Sequence, residues 1–270
     1  MITIDLAGKV ALICGAGAGG IGSAVTRVLA EAGATIAALD HSEELNAATR
    51  EDLAGQGLSC ESFLADLMQP DQAARVVDEV LARMGRIDIL VNVAGGTRHH
   101  QWGPLEESSD SVFRDVFALN LDYVMRLCAD TARHMIARGG GGAMVNFASI
   151  SALRSAPYHG PYGAAKAGVS AITETMAVEW ARHGIRVNAI APGSVRTPRV
   201  MQFTAGGDPH AHPDGRRSVS TMEIANGVLF FVSDLASGVT GQTLTIDAGM
   251  ALGHPAGPLF HWEEMRPKTA

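Results

Sequence analysis

The sequence predicts an α/β fold, a doubly wound domain whose mostly parallel seven-stranded sheet carries helices on both faces. Short apolar runs alternate with longer stretches in which apolar residues recur at helical spacing. Because strands that alternate with helices are joined by right-handed crossovers, the strands should lie parallel and the helices should cover them. No low-complexity linker interrupts the 270 residues. We therefore predict a single domain over residues 1–270.

The predicted elements follow in chain order. Strands are expected at Val10–Cys14, Thr35–Leu39, Ser59–Leu64, Ile87–Val93, Met144–Phe147, Ile185–Ile190 and Leu244–Ile246. Helices are expected at Ile21–Ala32, Glu43–Ala54, Asp71–Met84, Ser108–Arg138, Tyr162–His183 and Thr221–Ser233. Four consecutive glycines, Gly139–Gly142, separate the long fourth helix from the fifth strand, as a tight loop requires.

Composition and charge limit the partners that the chain can take. Hydrophobic residues make up 47% of it and charged residues 18%, so it can bury a sizeable core. The net charge of −7 argues against binding to a phosphate backbone, so we predict no nucleic-acid partner. No apolar run approaches the roughly 20 residues of a membrane span, and the N-terminus lacks the basic start of a signal peptide. We expect a cytoplasmic protein with no membrane partner.

Cysteine and histidine spacing indicates neither a disulfide framework nor a metal site. The three cysteines are widely separated and odd in number: Cys14, Cys60 and Cys128. His99-His100 and His210-x-His212 lack the helical i, i+4 spacing with a nearby carboxylate that zinc sites use. The sequence therefore predicts no metal.

A glycine-rich turn, Cys14-Gly15-Ala16-Gly17-Ala18-Gly19-Gly20-Ile21-Gly22, joins the first strand to the first helix. Glycines permit positive φ and let the backbone approach a pyrophosphate closely. The helix that begins near Ile21 points its unpaired N–H groups and positive dipole end at that phosphate. Tight strand–helix turns are also glycine-rich without a ligand. The residues predicted to bind a dinucleotide are Gly15, Gly17, Gly20, Ile21 and Gly22.

A carboxylate ends the second strand. Asp40 lies at the spacing where such a group accepts hydrogen bonds from the adenosine ribose hydroxyls. It would repel a 2′-phosphate, and no Arg or Lys lies within Gly15–Gly22 or directly after Asp40 to bind one. We predict NAD as the cofactor, with NADP as the weaker alternative. The competing interpretation is that Asp40 is a solvated residue at the start of a loop.

Polar and small residues follow the third and fourth strands. Asp66 and Leu67 come after the third strand, and Asn92, Ala94 and Gly95 close the fourth. Because ligands bind beyond the carboxyl ends of the strands in such sheets, we predict that these residues contact the cofactor.

A tyrosine and a lysine one helical turn apart predict the chemistry. Tyr162 and Lys166 share one face of a helix. Free tyrosine titrates near 10, and a neighbouring cation would lower its pKa into the range of a useful base. Ser149, just past a strand, could hydrogen-bond the reacting oxygen, and Asn120 could hold a water beside Lys166. The Tyr-x-x-x-Lys spacing also arises by chance on amphipathic helices.

These motifs together resemble the short-chain dehydrogenase/reductase family, in its compact single-domain form with a Rossmann-like fold. The resemblance covers nearly the whole chain, and the motifs occur in the family's order. They are the glycine turn, Asp66, Asn92-x-Ala94-Gly95, Asn120, Ser149, Tyr162-x-x-x-Lys166, Asn188-Ala189-Ile190-Ala191-Pro192-Gly193 and Asp247-Ala248-Gly249. Ser149 precedes Tyr162 by thirteen residues, the offset that the family shows.

The resemblance implies a role for each matched residue. Tyr162 would be the general base in alcohol oxidation and the general acid in ketone reduction. Lys166 would lower its pKa and hold the nicotinamide ribose, Ser149 would polarise the carbonyl, and Asn120 would complete a proton relay. Asp66 would contact adenine. The remaining cofactor contacts expected from the resemblance are Asn92, Gly95, Pro192, Gly193, Val195 and Thr197.

Three features depart from the family pattern. Cys14 stands where the family usually has threonine, and the glycine turn has one additional residue before Gly20. Val93 replaces the second asparagine of the usual Asn-Asn-Ala-Gly, which removes a polar group that supports the neighbouring strand. The chain also continues well beyond Gly249, to Ala270.

Residues beyond the strand ends are predicted to line a substrate pocket: His99, Trp102, Ser151, Leu153 and Tyr158. A loop at about 197–220, with Gly206-Gly207-Asp208-Pro209, is predicted to lie over the active site, the alternative being a passive surface loop. The C-terminal tail, at about 253–270, is predicted to reach a neighbouring subunit.

The resulting functional prediction is an NAD(H)-dependent oxidoreductase that interconverts a secondary alcohol and a ketone by direct hydride transfer. The small-molecule substrate stays open among polyols, cyclic or steroid-like alcohols and 3-oxoacyl thioesters. Two alternatives also remain, a 3-oxoacyl thioester reductase using NADPH and a catalytically silent NAD-binding sensor or scaffold protein. Apolar residues around much of the two long helices predict subunit packing, and hence a homotetramer or homodimer.

Overall fold

The computed structural model describes residues 3–201 and 217–252. The strands there are β1 Val10–Cys14, β2 Thr35–Asp40, β3 Glu61–Leu64, β4 Ile89–Asn92, β5 Gly142–Phe147, β6 Ile185–Pro192, β7 Val195–Arg196, β8 Val219–Ser220 and β9 Thr243–Ile246. The α-helices there are α1 Ile21–Glu31, α2 Glu43–Ala54, α3 Pro70–Met84, α4 Asp110–Phe117, α5 Tyr123–Arg138, α6 Gly160–Trp180, α7 Pro198–Met201 and α8 Thr221–Val232.

Seven of these strands form one parallel sheet in the order β3-β2-β1-β4-β5-β6-β9. From β1 the chain first builds outward to β3 and then returns to continue from β4 in the other direction. The predicted doubly wound, Rossmann-like seven-stranded sheet is confirmed. Ligands bind such sheets beyond the carboxyl ends of the strands, where the order reverses, and here that point lies between β1 and β4.

Side chains of the central strand alternate between two apolar clusters, one on each face of the sheet. Ala11 and Ile13 belong to the cluster that α1 and α8 cover, whereas Leu12 and Cys14 belong to the cluster that α3 and α5 cover. All five residues of β1 are buried. Burying one leucine side chain is worth roughly 1.5–3 kcal/mol, so a strand apolar on both faces is held firmly at the centre.

The helical region between β4 and β5 is less regular than the sequence predicts. Instead of one helix over Ser108–Arg138, α4 begins at Asp110 behind Ser109, whose Oγ accepts from Val112 N. A π-helical turn, Ala118–Asp122, then joins α4 to α5. The predicted long helical region is therefore present from Asp110 to Arg138, but a π-helical turn divides it into two α-helices. Such turns are rare and occur frequently at functional sites. This one contains Asn120, a predicted catalytic residue.

Several element boundaries also differ from the predictions. β3 begins at Glu61 and β4 at Ile89, each two residues later than expected. The backbone N–H of Val10 donates to the Asp88 carboxylate, which lies directly before β4. α6 begins at Gly160, ahead of the predicted start. The loop before β5 has the form that its glycines predict, with positive φ at 139–141.

A short parallel pair, β7 with β8, was not predicted. Val195 pairs with Val219, and Arg196 pairs with Ser220. The pair joins the two ends of the segment predicted to cover the active site. Residues 202–216 of that segment, and the tail at 253–270, lie outside the described residues.

Candidate active site

Three of the four predicted catalytic residues lie on the two elements that follow β5. Ser149 comes shortly after the strand and N-caps a short 3-10 turn, where its Oγ accepts from Ser151 N at 3.1 Å. Tyr162 and Lys166 lie one turn apart near the start of α6, which packs against β5 and β6. These elements bring the three predicted catalytic side chains to the carboxyl edge of the sheet.

The Tyr162 phenol is half-buried beside the Ser149 hydroxyl. Burial raises the pKa of Tyr162 above its usual value, and the nearby Ser149 hydroxyl opposes that rise. Sequence reasoning expected the lysine to govern this pKa, whereas burial does. A phenol of raised pKa keeps its proton at neutral pH, so it is well suited to donate one and needs charge stabilisation to accept one.

Lys166 is almost fully buried, with 3% of its surface exposed. Its Nζ donates to the Phe147 carbonyl oxygen at 2.7 Å and lies 5.8 Å from the centroid of the Tyr162 ring. Burial lowers the pKa of Lys166 from 10.5 to about 7. Desolvation disfavours the Lys166 ammonium. A phenolate formed at Tyr162 would stabilise that ammonium, so the two charged forms would favour each other.

Asn120 lies in the π-helical turn and is fully buried. Its Oδ1 accepts from Gly96 N at 2.8 Å, and its Nδ2 donates to the carbonyl oxygens of Gly96 and Val116, both at 2.9 Å. A Cβ placed on Gly95 would lie 2.9 Å from Asn120 Oδ1 and 3.1 Å from Lys166 Nζ. The amide and the lysine therefore both lie next to the position that a side chain on residue 95 would occupy, so this residue must be small.

The glycine turn presents backbone without side chains at the start of α1. Gly15 has a φ of +87°, and a Cβ there would lie 2.6 Å from Ala94 N, while a Cβ on Gly22 would clash with the Gly15 carbonyl oxygen. α1 begins at Ile21 behind Gly20, with no side-chain cap and no acidic residue in its first turn. Its first N–H groups and positive dipole end can therefore receive an anion. These features fit the pyrophosphate of a dinucleotide.

Asp40 is buried at the end of β2, and its carboxylate closes the glycine turn. Oδ2 accepts from Gly17 N at 2.9 Å, while Oδ1 accepts from His41 N at 2.8 Å and Ser42 N at 3.3 Å. The exposed ring of His41 also brings its Nδ1 within 2.8 Å of Oδ1. Sequence reasoning noted that no Arg or Lys follows Asp40 but missed this histidine. A carboxylate this buried is not the solvated loop residue of the competing interpretation.

The two predicted residues after β3 divide between surface and core. Asp66 is fixed in the turn before α3, where its Oδ1 accepts from Met68 N and its backbone N–H donates to Gln72 Oε1, both at 2.9 Å. Leu67 is buried in the apolar cluster beneath α3 and α5. Its side chain belongs to the core, so a cofactor contact at Leu67 would have to come from the backbone.

Asn92 turns its side chain into the interior. Its Nδ2 donates to Asn146 Oδ1 at 2.9 Å and to Cys128 Sγ at 3.3 Å, and the residue is fully buried. The side chain thus fastens β4 to β5 and α5, so only the backbone of Asn92 can face the crevice. The neighbouring Ala94 carbonyl oxygen accepts from Tyr123 Oη at 2.6 Å, which fixes the segment after β4 from below.

The last predicted cofactor residues follow β6. Pro192 ends the strand, and a Cβ on Gly193 would lie 2.7 Å from Asp247 Cβ, so only glycine fits there without a shift. Val195 is buried in the apolar cluster that α1 and α8 cover. The Thr197 Oγ1 accepts a backbone N–H of α7 at 3.3 Å. Val195, like Leu67, therefore supports the site from the core side.

The predicted pocket residues are mostly exposed. Trp102, Leu153 and Tyr158 are 55%, 43% and 65% exposed. Ser151 is half-buried, and His99 lies exposed in a short 3-10 turn after β4. Tyr158 has a φ of +63°, a left-handed conformation that a bulky side chain rarely adopts.

Sequence reasoning missed His159, which lies between two residues of the site. The centroid of its ring is 3.5 Å from that of Trp102 and 5.6 Å from that of Tyr162. Burial lowers the pKa of His159, so the imidazole is neutral at neutral pH. The sequence feature that could have identified His159 is its position three residues before Tyr162, because residues so spaced lie on one face of a helix.

Comparison with known proteins accounts for this arrangement. A family model described as Enoyl-(Acyl carrier protein) reductase matches residues 15–251. The chain is 37% identical to D-threitol dehydrogenase of Mycolicibacterium smegmatis, over 92% of this chain and 94% of that protein. This chain belongs to the short-chain dehydrogenase/reductase family. It is a short-chain alcohol dehydrogenase/ketoreductase, an oxidoreductase for secondary alcohols or ketones.

Solved structures share the fold of this short-chain dehydrogenase. Acetoin dehydrogenase from Enterobacter cloacae superposes with a TM-score of 0.85 at 31% identity, over 94% of this chain and 100% of that one. Carveol dehydrogenase from Mycobacterium avium, in complex with NAD, superposes with a TM-score of 0.85 at 31% identity, over 93% and 100% of the two chains. As a family member, the enzyme takes NAD(P) and a small-molecule substrate.

Among the helices of residues 3–201 and 217–252, none combines the length and apolar composition needed to cross a bilayer. Within the same ranges, no group of three or more His, Cys, Asp or Glu side chains is placed to hold a metal ion.

Proposed function

We propose that this short-chain dehydrogenase uses NAD(H) to interconvert a secondary alcohol and a ketone, with Tyr162, Lys166, Ser149 and Asn120 as its catalytic set. One observation carries the proposal. The Ser149 hydroxyl acts on the Tyr162 phenol and lowers its pKa against the effect of burial, and Lys166 is buried one turn further along α6. Hydride transfer to a nicotinamide needs a partner that takes or gives the hydroxyl proton, and a phenol so placed can do both.

Each of these side chains has a distinct task in alcohol oxidation. Tyr162 Oη takes the proton of the substrate hydroxyl while Ser149 Oγ holds the same oxygen in place. A nicotinamide held beside Lys166 would supply the hydride acceptor for the carbinol carbon. Lys166 stabilises the phenolate form of Tyr162, because its own buried ammonium gains a negative neighbour. Asn120 fixes the backbone at Gly96, and its Oδ1 and the Lys166 Nζ both border the space beside Gly95. In ketone reduction, Tyr162 returns its proton to the carbonyl oxygen.

The preference for NAD over NADP rests on the Asp40 carboxylate. It is buried and bonded to Gly17 N, so its charge lies at the mouth of the glycine turn. Ribose hydroxyls can donate to such a group, whereas a 2′-phosphate would meet a like charge of low hydration. The carveol dehydrogenase structure is described in complex with NAD, which supports this choice. The residues proposed to hold NAD are Gly15, Gly17, Gly20, Ile21, Gly22, Asp40, Asp66, Gly95, Lys166, Pro192, Gly193 and Thr197.

A second candidate is an NADPH-dependent reductase of a 3-oxoacyl thioester. Two observations favour it: the matching family model is described as an acyl carrier protein enoyl reductase, and His41 is a basic group in contact with Asp40. We rank it second because the Asp40 carboxylate is fixed by three backbone N–H groups and cannot easily withdraw from a phosphate.

A turnover assay tests the proposed function. The purified protein is given NAD or NADP with a panel of sugar alcohols, vicinal diols, cyclic alcohols and a 3-oxoacyl thioester, and nicotinamide absorbance is followed. We expect turnover of a secondary alcohol or its ketone with NAD(H), abolished in Tyr162→Phe. Tighter binding of NADP than of NAD would contradict the cofactor assignment. Tight binding of NAD without turnover of any compound would favour a silent sensor instead.

We infer that the enzyme assembles through the outer faces of α5 and α6. Met125 and Ile136 on α5 are each 37% exposed, and Val178 on α6 is 80% exposed, while Leu127 and Val169 on the opposite faces are fully buried. Apolar side chains on the outside of neighbouring helices support subunit packing, so we propose a homotetramer or homodimer. Light scattering of wild type and Val178→Glu tests this, since a monomeric wild type would overturn it.

A further inference from the structure

A histidine at the start of α6 gives the site a polar group that hydride transfer does not use. His159 directly precedes the helix, and its backbone N–H donates to the Ala156 carbonyl oxygen at 3.0 Å. Its ring is half-buried and packs edge-on against Trp102, from the segment after β4. The side chain is therefore positioned by two separate parts of the chain.

Polar contacts fix the imidazole further. Trp102 Nε1 donates to Thr97 Oγ1 at 3.0 Å, and the same Thr97 oxygen lies 3.5 Å from His159 Nε2. Trp102 and Thr97 thus hold the ring edge that carries Nε2. The centroid of the ring lies 5.6 Å from that of Tyr162, so one small molecule can contact both rings at once.

The charge state of the imidazole decides what it can recognise. Burial lowers the pKa of His159, which leaves the ring neutral at neutral pH. A neutral imidazole has one N–H donor and one acceptor nitrogen, so it suits a hydroxyl or carbonyl oxygen. It offers no cation to a carboxylate or phosphate. The exposed face of Trp102 beside it adds an apolar wall.

We propose that His159 is a specificity-determining residue that hydrogen-bonds a second oxygen of the substrate, so that the enzyme selects hydroxyketones and diols over analogues with a single oxygen. The inference rests on the proposed function, which assigns the reacting oxygen to Tyr162 and Ser149. It adds the substrate class: a compact neutral molecule with oxygens on neighbouring carbons.

Matched substrate pairs test the proposal in His159→Phe and His159→Gln. Acetoin and butanone share a carbon skeleton and differ by one hydroxyl, as do cyclohexanediol and cyclohexanol. Wild type should prefer the hydroxylated member of a pair. In His159→Phe, kcat/KM for that member should fall about tenfold, the effect of one neutral hydrogen bond, while the single-oxygen member changes less than about twofold. Glutamine keeps a donor and an acceptor, so His159→Gln should recover part of the loss.

The outcomes separate the inference from the function on which it rests. An equal fall for both members of a pair would assign His159 to positioning Tyr162 and overturn the inference, as would no fall at all. Wild-type turnover confined to single-oxygen compounds would overturn it too. Failure of the proposed function would give a different result. No alcohol or ketone in the panel would then make the wild type change the nicotinamide absorbance. His159→Gln keeps the test decisive if the phenylalanine variant does not fold.

Discussion

The floor and the rim of the active site are built in opposite ways. The floor consists of polar side chains that are at most 9% exposed: Ser149, Lys166 and Asn120. The rim consists of apolar and aromatic side chains that are at least 43% exposed: Trp102, Leu153 and Tyr158. The proposed catalytic groups are thus buried, whereas the residues proposed to contact the substrate are largely exposed to solvent.

Hydrogen bonding to the backbone accounts for this difference. Lys166 donates to the Phe147 carbonyl oxygen, and Asn120 bonds both the N–H and the carbonyl oxygen of Gly96. A substitution removes no backbone carbonyl group, so substitutions elsewhere in the chain leave the hydrogen-bond partners of the floor in place. The rim can therefore diverge between relatives without loss of the reaction.

The largest expected effect is next to the floor, in Tyr162→Phe. The change removes the hydroxyl that gives and takes the proton, and general acid–base catalysis contributes typically 10²–10⁴-fold. We expect kcat/KM to fall by about that factor while the dissociation constant for NAD stays nearly the same. Steady-state kinetics and a fluorescence titration measure the two quantities. A variant that keeps near-wild-type activity would show that the proton donor lies elsewhere.

Lys166→Met should change how stability depends on pH. Unfolded lysine titrates at 10.5, whereas the folded group titrates at about 7, so between these values the unfolded state binds the extra proton. Stability of the wild type therefore rises with pH across that window, by about 1.4 kcal/mol per pH unit for this group. Methionine abolishes that contribution. Urea unfolding at several pH values should give a slope for wild type that the variant lacks. Parallel slopes would contradict the pKa shift.

Gly95→Ala should disturb the floor by crowding it. The added Cβ would lie 2.9 Å from Asn120 Oδ1 and 3.1 Å from Lys166 Nζ, at a φ of +157°. We expect kcat/KM to drop by about tenfold, with a stability loss of about 1–3 kcal/mol. Gly103→Ala is the matched control, because nothing lies within 4 Å of a Cβ there. Equal behaviour of the two variants would mean that the space at Gly95 does not matter.

The smallest effect is expected on the rim. Leu153→Ser replaces an exposed apolar side chain, and surface changes of this kind usually alter stability by less than about 0.5 kcal/mol. Only KM for the more apolar substrates should rise, with kcat unchanged. Thermal unfolding and kinetics across the alcohol panel check both points. A large loss of stability would show that Leu153 supports the fold as the floor residues do.

Sequence patterns predict the parts of this molecule that repeat a simple period. The parallel strands are buried on both faces and read as apolar runs, and Tyr162 and Lys166 share a face because four residues make about one helical turn. Burial on both faces also means that the sequence does not show to which face of the sheet a side chain points. A strand buried on both faces has no polar side, so nothing marks that Asn92 points inward to Asn146.

Tertiary contacts explain what the sequence could not predict. His159 joins the site because Trp102, far away in the chain, packs against it. The burial that governs the Tyr162 pKa is likewise a property of the folded chain. Val93, where the family usually has asparagine, packs partly buried against the core, and Asn92 with Asn146 supplies the polar link between β4 and β5.

The π-helical turn makes the orientation of Asn120, a proposed catalytic residue, depend on how many residues the turn contains. Asn120 faces Gly96 because Ala118–Asp122 winds more loosely than the helices on either side. Deleting one residue there would restore an even helix and rotate the preceding side chains by about 100° relative to α5. Such a deletion replaces no catalytic group, and the helix would remain continuous. A change of chain length in this turn is therefore enough to reorient Asn120, even when every residue type at the site is kept.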